Sequence, residues 1–283
     1  MKNKIALGTV QFGLDYGISN KAGKTSKAEV SKILEFCKEQ GILTLDTAYG
    51  YGVSQEVLGQ NDLSTFNLVT KFLPQDNGIP SIEKQVESSI ELLNVDKLYG
   101  LLAHRPLDIV ENPSNWKYLQ SLKERGKVLK IGFSFNTLNE LFNVIENNFI
   151  PDLVQIPYNF LDRRFEDAII ELKIKHDIEV HTRSTFLQGL FFMNMKELPV
   201  FFDPIKGVVE KIQTSNNAPI ENTLIRFVTS KLFIDKVVLG VNNLVQLEQN
   251  LNQLNVKDKT ILNIELPEIP NQILTPSNWP KLS

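Results

Sequence analysis

The chain has 283 residues, 42% of them hydrophobic and 22% charged, with a formal net charge of −3. These are the proportions of a globular protein, and with no basic block they imply neither a nucleic-acid nor a membrane-surface partner. No apolar run approaches the ~20 residues that span a bilayer, residues 1–8 lack the apolar core of a secretory signal, and Cys37, the single cysteine, allows no internal disulfide and no cysteine-built metal site. A reducing cytoplasm is the expected compartment, and core filling the expected role of Cys37.

Strand and helix alternate along the chain. Lys4 to Thr9 is a short apolar strand, and Gln11 to Gly23 reads as a glycine-rich loop. Ser26-Lys-Ala-Glu29 has the spacing of a capping box. Val30, Ile33, Leu34 and Cys37 follow at helical intervals until Gly41 stops the helix. A strand from Leu43 to Ala48 leads to a short helix from Ser54 to about Gln60. The third strand is Asn67 to Lys71, followed by a helix from Ser81 to Leu93 with Ile82, Val86, Ile90 and Leu93 on one face. The fourth is Lys97 to Ala103, ending at His104, with a helix from Asn115 to Arg125 closed by Gly126.

The fifth strand is Leu129 to Ser134, and Thr137-Leu-Asn-Glu140 is a second capping box, opening a helix to about Asn147. The sixth strand, Asp152 to Ile156, precedes a helix from Arg163 to His176, and the seventh runs from Glu179 to Ser184. A phenylalanine-rich insertion, 186–217, comes before a helix from Pro219 to Leu232, the eighth strand from Lys236 to Gly240 and a last helix from Leu244 to Leu254. Residues from about 265 to 283 read as an irregular, proline-containing tail. Eight strands alternating with eight helices predict one domain over 1–283, an α/β parallel (β/α)8 TIM barrel, for which ~250 residues are typical. A doubly wound open sheet fits less well: no Gly-x-Gly-x-x-Gly follows the first strand, and eight units are many for an open sheet.

In such a barrel the chemistry lies at the carboxyl ends of the strands. There the apolar run of the second strand stops at Asp46, a charge that needs a partner if buried. Tyr49-Gly-Tyr-Gly follows, with glycines available for positive φ. Lys71 ends the third strand and His104 the fourth. Singly, each has an ordinary explanation: a solvated strand end for Lys71, a satisfied core histidine, loop packing for Tyr51. Core packing gives no reason for four titratable side chains to gather on the rim of three adjacent strands.

At these residues the chain resembles the aldo-keto reductases. The family pattern Asp-Thr-Ala-x-x-Tyr-Gly-x-Ser-Glu-x-x-Leu-Gly is met by residues 46–59, with one extra residue before Glu56. Thr70-Lys71, His104-Arg-Pro106 and the opening Leu7-Gly-Thr-Val-Gln-Phe-Gly13 match three further family motifs, and the likeness runs from Ile5 to about Asn250. The resemblance implies a catalytic tetrad of Asp46, Tyr51, Lys71 and His104, with Tyr51 as proton donor. It implies NADPH or NADH as cofactor and a small-molecule carbonyl as substrate. Cofactor contacts are expected from Thr9, Ser134, Gln155, Arg183 and Ser184. Leu187, Gln188, Gly189, Gly240, Val241 and Asn242 are expected at the diphosphate, and Gln246 and Asn250 at the adenosine. Two positions depart from the family pattern: Phe135 stands where an asparagine is usual, and Arg183 where an aromatic often stacks on the nicotinamide, a role a guanidinium can also fill. Family members that insist on NADPH clamp its 2′-phosphate with basic residues after the eighth strand, and residues 240–250 contain none. A charged hydrogen bond is worth ~1.5–3 kcal/mol, so without one the two cofactors are expected to differ by less than about tenfold.

The residue types suit the reaction. A tyrosine with a pKa near ~10 is a poor acid at neutral pH, and the Lys71 ammonium is expected to lower that value, a drop of ~2 units needing about 2.7 kcal/mol. Asp46 would hold Lys71 charged, and His104 would orient the carbonyl. A Schiff-base lyase using Lys71 is a second reading, disfavoured because Asp46 keeps the amine protonated. A non-catalytic cofactor-sensing subunit is a third, against which the intact tetrad speaks. A carbohydrate-derived substrate is favoured, with Tyr16, Trp116, Tyr158 and Trp279 as candidates for its pocket. No metal site is expected, and nothing in the sequence fixes the oligomeric state.

Overall fold

All eight expected strands are present in the computed structural model, which describes residues 2–76, 78–214, 219–252, 254 and 264–280. They are β1 (Ile5–Gly8), β2 (Thr44–Asp46), β3 (Asn67–Phe72), β4 (Leu98–Ala103), β5 (Val128–Ser134), β6 (Leu153–Pro157), β7 (Glu179–Arg183) and β8 (Lys236–Gly240). Every neighbouring pair is parallel, and β8 pairs with β1, so the sheet closes in chain order. Parallel strands need crossover connections, supplied by α1 (Lys27–Gln40), α2 (Ser54–Gly59), α3 (Ile82–Leu93), α4 (Leu107–Glu111), α5 (Pro113–Glu124), α6 (Leu138–Glu146), α7 (Glu166–His176), α8 (Asp203–Thr214), α9 (Ile220–Thr229) and α10 (Leu244–Leu251).

The main core lies between barrel and helices. Val30, Ile33, Leu34 and Cys37 of α1 are all buried, and burial pushes the Cys37 thiol up to about 12, so it packs as a small apolar group. Inside the barrel, Val69, Leu102 and Leu153 form a separate small layer. Below it, Glu179 accepts hydrogen bonds from Tyr99 (2.6 Å), His181 (2.6 Å) and Lys130. Burial alone would raise the Glu179 carboxyl, but these donors hold it well below the usual carboxylate range. Among the described residues no helix is long and apolar enough to cross a membrane.

Three features differ from the sequence reading. The insertion holds a helix that was not expected, α8, which buries Ile205, Val208, Val209 and Ile212 at helical spacing. These pack with Phe191, Phe202 and, from the tail, Ile273 into a second apolar cluster. Residues 215–217 of the insertion lie outside the described residues. The short α4 after β4 was not expected. The Ser26 capping box is only half formed: Ser26 Oγ accepts from Glu29 N, but the Glu29 carboxylate turns away and accepts from the backbone N of Leu244, at 2.8 Å. The Thr137 box is complete.

Candidate active site

Strand register brings the central pair together. Asp46 on β2 lies opposite Val69 on β3, which faces the barrel interior, and alternation returns Lys71 to that same side one pleat higher. Lys71 Nζ donates to Asp46 Oδ1 at 2.7 Å, Asp46 Oδ2 at 2.8 Å and the Thr47 carbonyl at 3.0 Å, which uses all three of its protons. Lys71 is 1% and Asp46 3% exposed, so each needs the other. From the far side of the barrel, Gln155 Nε2 on β6 donates to Asp46 Oδ2 at 2.7 Å. The buried carboxylate therefore has two side-chain donors, and Gln155 is turned towards it.

Tyr51 sits in the tight loop between β2 and α2. Its backbone N donates to the Ala48 carbonyl at 3.0 Å, and its carbonyl accepts from Ser54 N at 3.1 Å. Ser54 Oγ donates to the Thr9 carbonyl at 2.8 Å, and Thr9 Oγ1 to the Asp46 carbonyl at 3.0 Å, tying the loop to β1. The loop after β1 presses so closely that a Cβ on Gly13 would lie 1.8 Å from the Tyr51 carbonyl oxygen, so glycine is required there. The Lys71 ammonium lies 5.1 Å from the centre of the Tyr51 ring, and the His104 ring meets that ring edge-on at 6.1 Å. The four expected tetrad residues thus converge.

The electrostatics differ from the sequence expectation. Burial, and then the Asp46 charge, push the Tyr51 phenol well above its ordinary value, with Arg183 opposing. Lys71 does not lower it, because its charge is matched at 2.7 Å by Asp46 and the pair presents little net positive charge to the ring. Burial also pulls the Lys71 ammonium below its ordinary value, against the opposing pull of Asp46. Burial, followed by the charges of Lys71, Arg183 and Arg105, lowers His104 to about 3. The imidazole is therefore neutral at physiological pH, with Nδ1 buried and unpartnered.

The motif itself needs one change. Gln55, not Glu56, is buried after Ser54, with its Nε2 donating to Thr70 Oγ1 at 2.7 Å and Ser89 Oγ at 3.1 Å, while Glu56 faces solvent. Gln55 thus holds the family's glutamate position and no extra residue precedes it.

A cavity of about 550 Å³ runs from Asp46 and Tyr51, across the ends of β1, β7 and β8, to α10. Of the expected cofactor residues, Thr9, Arg183, Ser184, Gln188, Gly189, Gly240, Asn242, Gln246 and Asn250 line it. Ser134, Gln155, Leu187 and Val241 do not; all four are buried outside its wall. The Arg183 guanidinium is fixed by the Phe135 carbonyl at 3.1 Å and by Asn136 Oδ1 at 2.6 Å, so the asparagine missing at 135 is present one residue later, bound to Arg183. Over the cavity the first loop meets the segment after β7: Gln188 Nε2 donates to the Tyr16 hydroxyl at 3.1 Å. That segment holds Ser184, Leu187 and Gln188 at positive φ (67°, 46° and 54°).

Of the four aromatic candidates for a substrate pocket, Tyr16 alone lines the cavity. Trp116 stacks on Phe133 in the main core at 5.0 Å, Tyr158 is fully buried with its hydroxyl on Glu166, and Trp279 packs on Phe202. Sequence reasoning missed Gln11, Thr185, Glu221 and Gln249 in the wall. Gln249 is one helical turn beyond Gln246 and was legible from that spacing. Glu221, on α9, had no local signal.

The family model for the aldo/keto reductase family matches residues 4–265. Aldo-keto reductase YhdN of Bacillus subtilis is 24% identical over 212 residues, 69% of this chain and 62% of that protein. A 6-dehydroglucose reductase of Agrobacterium fabrum is 28% identical over 156 residues, 47% of this chain and 52% of that one. The matches therefore span between half and two thirds of the length of these curated relatives. Among solved structures, the holo form of an aldo-keto reductase from Bacillus halodurans superposes with a TM-score of 0.70 at 20% identity, covering 87% of this chain and 85% of that one. A glycerol dehydrogenase from Gluconobacter oxydans gives 0.65 at 20% identity, covering 87% and 84%. These structures share the barrel. With the family model matching nearly the whole chain, the protein belongs to the aldo/keto reductase family.

Proposed function

We propose that the chain is an NAD(P)H-dependent oxidoreductase that reduces an aldehyde or ketone to the alcohol, with Tyr51 as proton donor. The observation that carries this reading is the Lys71–Asp46 pair, 2.7 Å apart and buried beside the Tyr51 ring, where Asp46 and Tyr51 border a cavity lined by residues expected at the cofactor. That wall also contains Gln11 Oε1 and Thr185 Oγ1, buried polar atoms with no partner, and Gln155 Oε1 lies unpartnered nearby. Such atoms suit a ligand bearing amide and hydroxyl donors, as a nicotinamide dinucleotide does.

When bound, the dinucleotide supplies a hydride to the carbonyl carbon. Neutral His104 can donate one N–H to the carbonyl oxygen and fix its direction. Tyr51 then gives its hydroxyl proton to that oxygen, completing the alcohol, and regains a proton from solvent. Its raised pKa does not forbid this step, since an alkoxide is still the stronger base: an alcohol has a pKa near that of water, ~15.7, against ~10 for an ordinary phenol. The raised value keeps the hydroxyl protonated until the oxygen develops charge. The Arg183 guanidinium stabilises the tyrosinate left behind. A lyase reading is disfavoured by the same geometry, because Lys71 is 1% exposed and all its protons are engaged.

The proposed substrate class is a carbohydrate-derived carbonyl, in line with the activities of the similar 6-dehydroglucose reductase and glycerol dehydrogenase. Loss of nicotinamide absorbance with a panel of sugar-derived aldehydes and ketones tests the proposal. Absence of turnover across the panel, or a borohydride-trapped adduct on Lys71, would refute it.

A further inference from the structure

The far end of the cavity, away from Tyr51, is bounded by Asn242, by Gln246, Gln249 and Asn250 of α10, and by Glu221 of α9. The two helices are locked together there: Asn222 Nδ2 donates to the carbonyls of Gln249 and Asn250, both at 3.1 Å. The charged residues in the whole cavity wall are Asp46, Arg183 and Glu221, and the first two belong to the Tyr51 end. Glu221 is thus the one charge at the far end, and among the described residues no ion pair neutralises it.

A second carboxylate stands at the start of α10. A helix N-terminus with free N–H groups favours an anion, but here two of the first-turn donors, Leu244 N and Gln246 N, are already taken. Glu29 accepts from Leu244 N at 2.8 Å, Asn243 Oδ1 accepts from Gln246 N at 2.9 Å, and Gln246 Oε1 accepts from Asn242 N at 2.8 Å. Glu29 makes this contact instead of closing its own capping box. One of the donors that would hold a phosphate, Leu244 N, is therefore met by a protein carboxylate, and Gln246 N by a side-chain amide.

From this arrangement, and resting on the reductase reading above, we infer that Glu221 and Glu29 make the protein selective for NADH by excluding the 2′-phosphate of NADPH. A dinucleotide whose nicotinamide lies at Tyr51 extends along the cavity and places its adenosine half between α9 and α10. There a ribose 2′-hydroxyl can donate to the Glu221 carboxylate, a charge-assisted bond. A 2′-phosphate cannot donate; it brings a dianion against the Glu221 carboxylate, and the Glu29 carboxylate already occupies Leu244 N. Losing a charged hydrogen bond corresponds to roughly 10- to 150-fold in affinity. The selectivity is thus expected to exceed the sub-tenfold difference read from the missing basic residues alone. Lysines near this end are Lys24, exposed and next to Thr25, whose Oγ1 donates to the Asn242 carbonyl, and Lys32, exposed and 3.7 Å from the Glu29 carboxylate.

Isothermal titration calorimetry of the full chain with NADH and with NADPH tests the inference without turnover. NADH should bind at least ~10-fold more tightly. Glu221→Gln, which keeps size and removes charge, should narrow the ratio several-fold by strengthening NADPH binding. Glu29→Gln, which can still accept from Leu244 N, should narrow it in the same direction. Equal or tighter binding of NADPH by the parent protein overturns the inference, as does a ratio unmoved in both variants. NADPH binding that weakens in Lys24→Gln while NADH binding does not would place a phosphate clamp in the first loop, and overturns it too. If neither dinucleotide binds, the reductase reading itself fails, an outcome distinct from loss of selectivity.

Discussion

Replacing Asp46 with asparagine keeps the shape of the side chain and removes one charge from a buried pair. The carboxylate supplies two of the three acceptors of Lys71, and both residues are within a few per cent of full burial. The amide oxygen of the substituted side chain could accept one bond, but the ammonium would be left without a counter-charge. Breaking a buried pair in this way costs about 3–5 kcal/mol. At ~2.1 cal/mol/K of unfolding entropy per residue over 283 residues, that lowers the melting temperature by roughly 5–8 °C. The loss has a pH signature. Burial already lowers the folded-state pKa of Lys71, and without Asp46 it falls further, whereas the unfolded lysine keeps its proton to ~10.4. Between the two values the unfolded chain binds more protons, so stability rises with pH, by up to ~1.36 kcal/mol per unit. Asp46→Asn should therefore be markedly less stable than the parent at neutral pH and recover part of the difference by about pH 10. Calorimetric melting of both proteins at several pH values is the assay, and Asp46→Asn combined with Lys71→Met should be less damaging than the sum of the two single changes. A melting temperature within ~1 °C of the parent, with no pH dependence of the difference, would refute the claim that this pair is desolvated.

Tyr51→Phe removes a hydroxyl from a loop held by backbone contacts. Folding and dinucleotide affinity should change little while turnover falls by roughly 10²–10⁴; loss of activity in Tyr49→Phe but not in Tyr51→Phe would show the donor to be the other tyrosine. His104, lowered to about 3, should show no ring titration by NMR between about pH 5 and 8. As its folded pKa lies below its unfolded value, near ~6.5, its contribution to stability is complete above that value and is lost as pH falls from there towards the folded pKa. Trp116→Ala should cost about 3–5 kcal/mol as a core truncation, yet leave the KM of the folded protein unchanged, since the ring stacks on Phe133 away from the cavity. A raised KM would return Trp116 to the substrate pocket.

The strands were legible because each is a short apolar run ended by a polar or glycine residue, and closure in chain order follows once eight such units alternate with helices. Asp46, Lys71 and His104 could be read as a group for a related reason, since each is the titratable residue at which an apolar strand stops. The sequence does not reveal how strongly Asp46 neutralises Lys71, and so it misplaced the direction of the Tyr51 shift. That depends on a 2.7 Å contact and on burial, which no spacing encodes. α8 was missed although Ile205, Val208, Val209 and Ile212 have helical spacing, because the surrounding phenylalanines obscured it. Glu29 looked like half of a capping box. Its true partner, Leu244, is 215 residues away, and contacts of that range become visible only when the barrel closes.

The bridge between Tyr16 and Gln188 joins two residues of the cavity wall, so parting the two loops must break it. The joined segment also carries backbone strain. Ser184, Leu187 and Gln188 are held in the left-handed region, on the order of 1–2 kcal/mol each for residues with a Cβ. An open arrangement, free to choose its dihedrals, recovers that energy, which offsets the hydrogen bond broken at Gln188. Ligand exchange is then governed by the balance between backbone relaxation and one side-chain contact. Glycine at Leu187 would relieve the joined form and leave that contact in place, whereas glycine at Gln188 would remove the side chain that makes it.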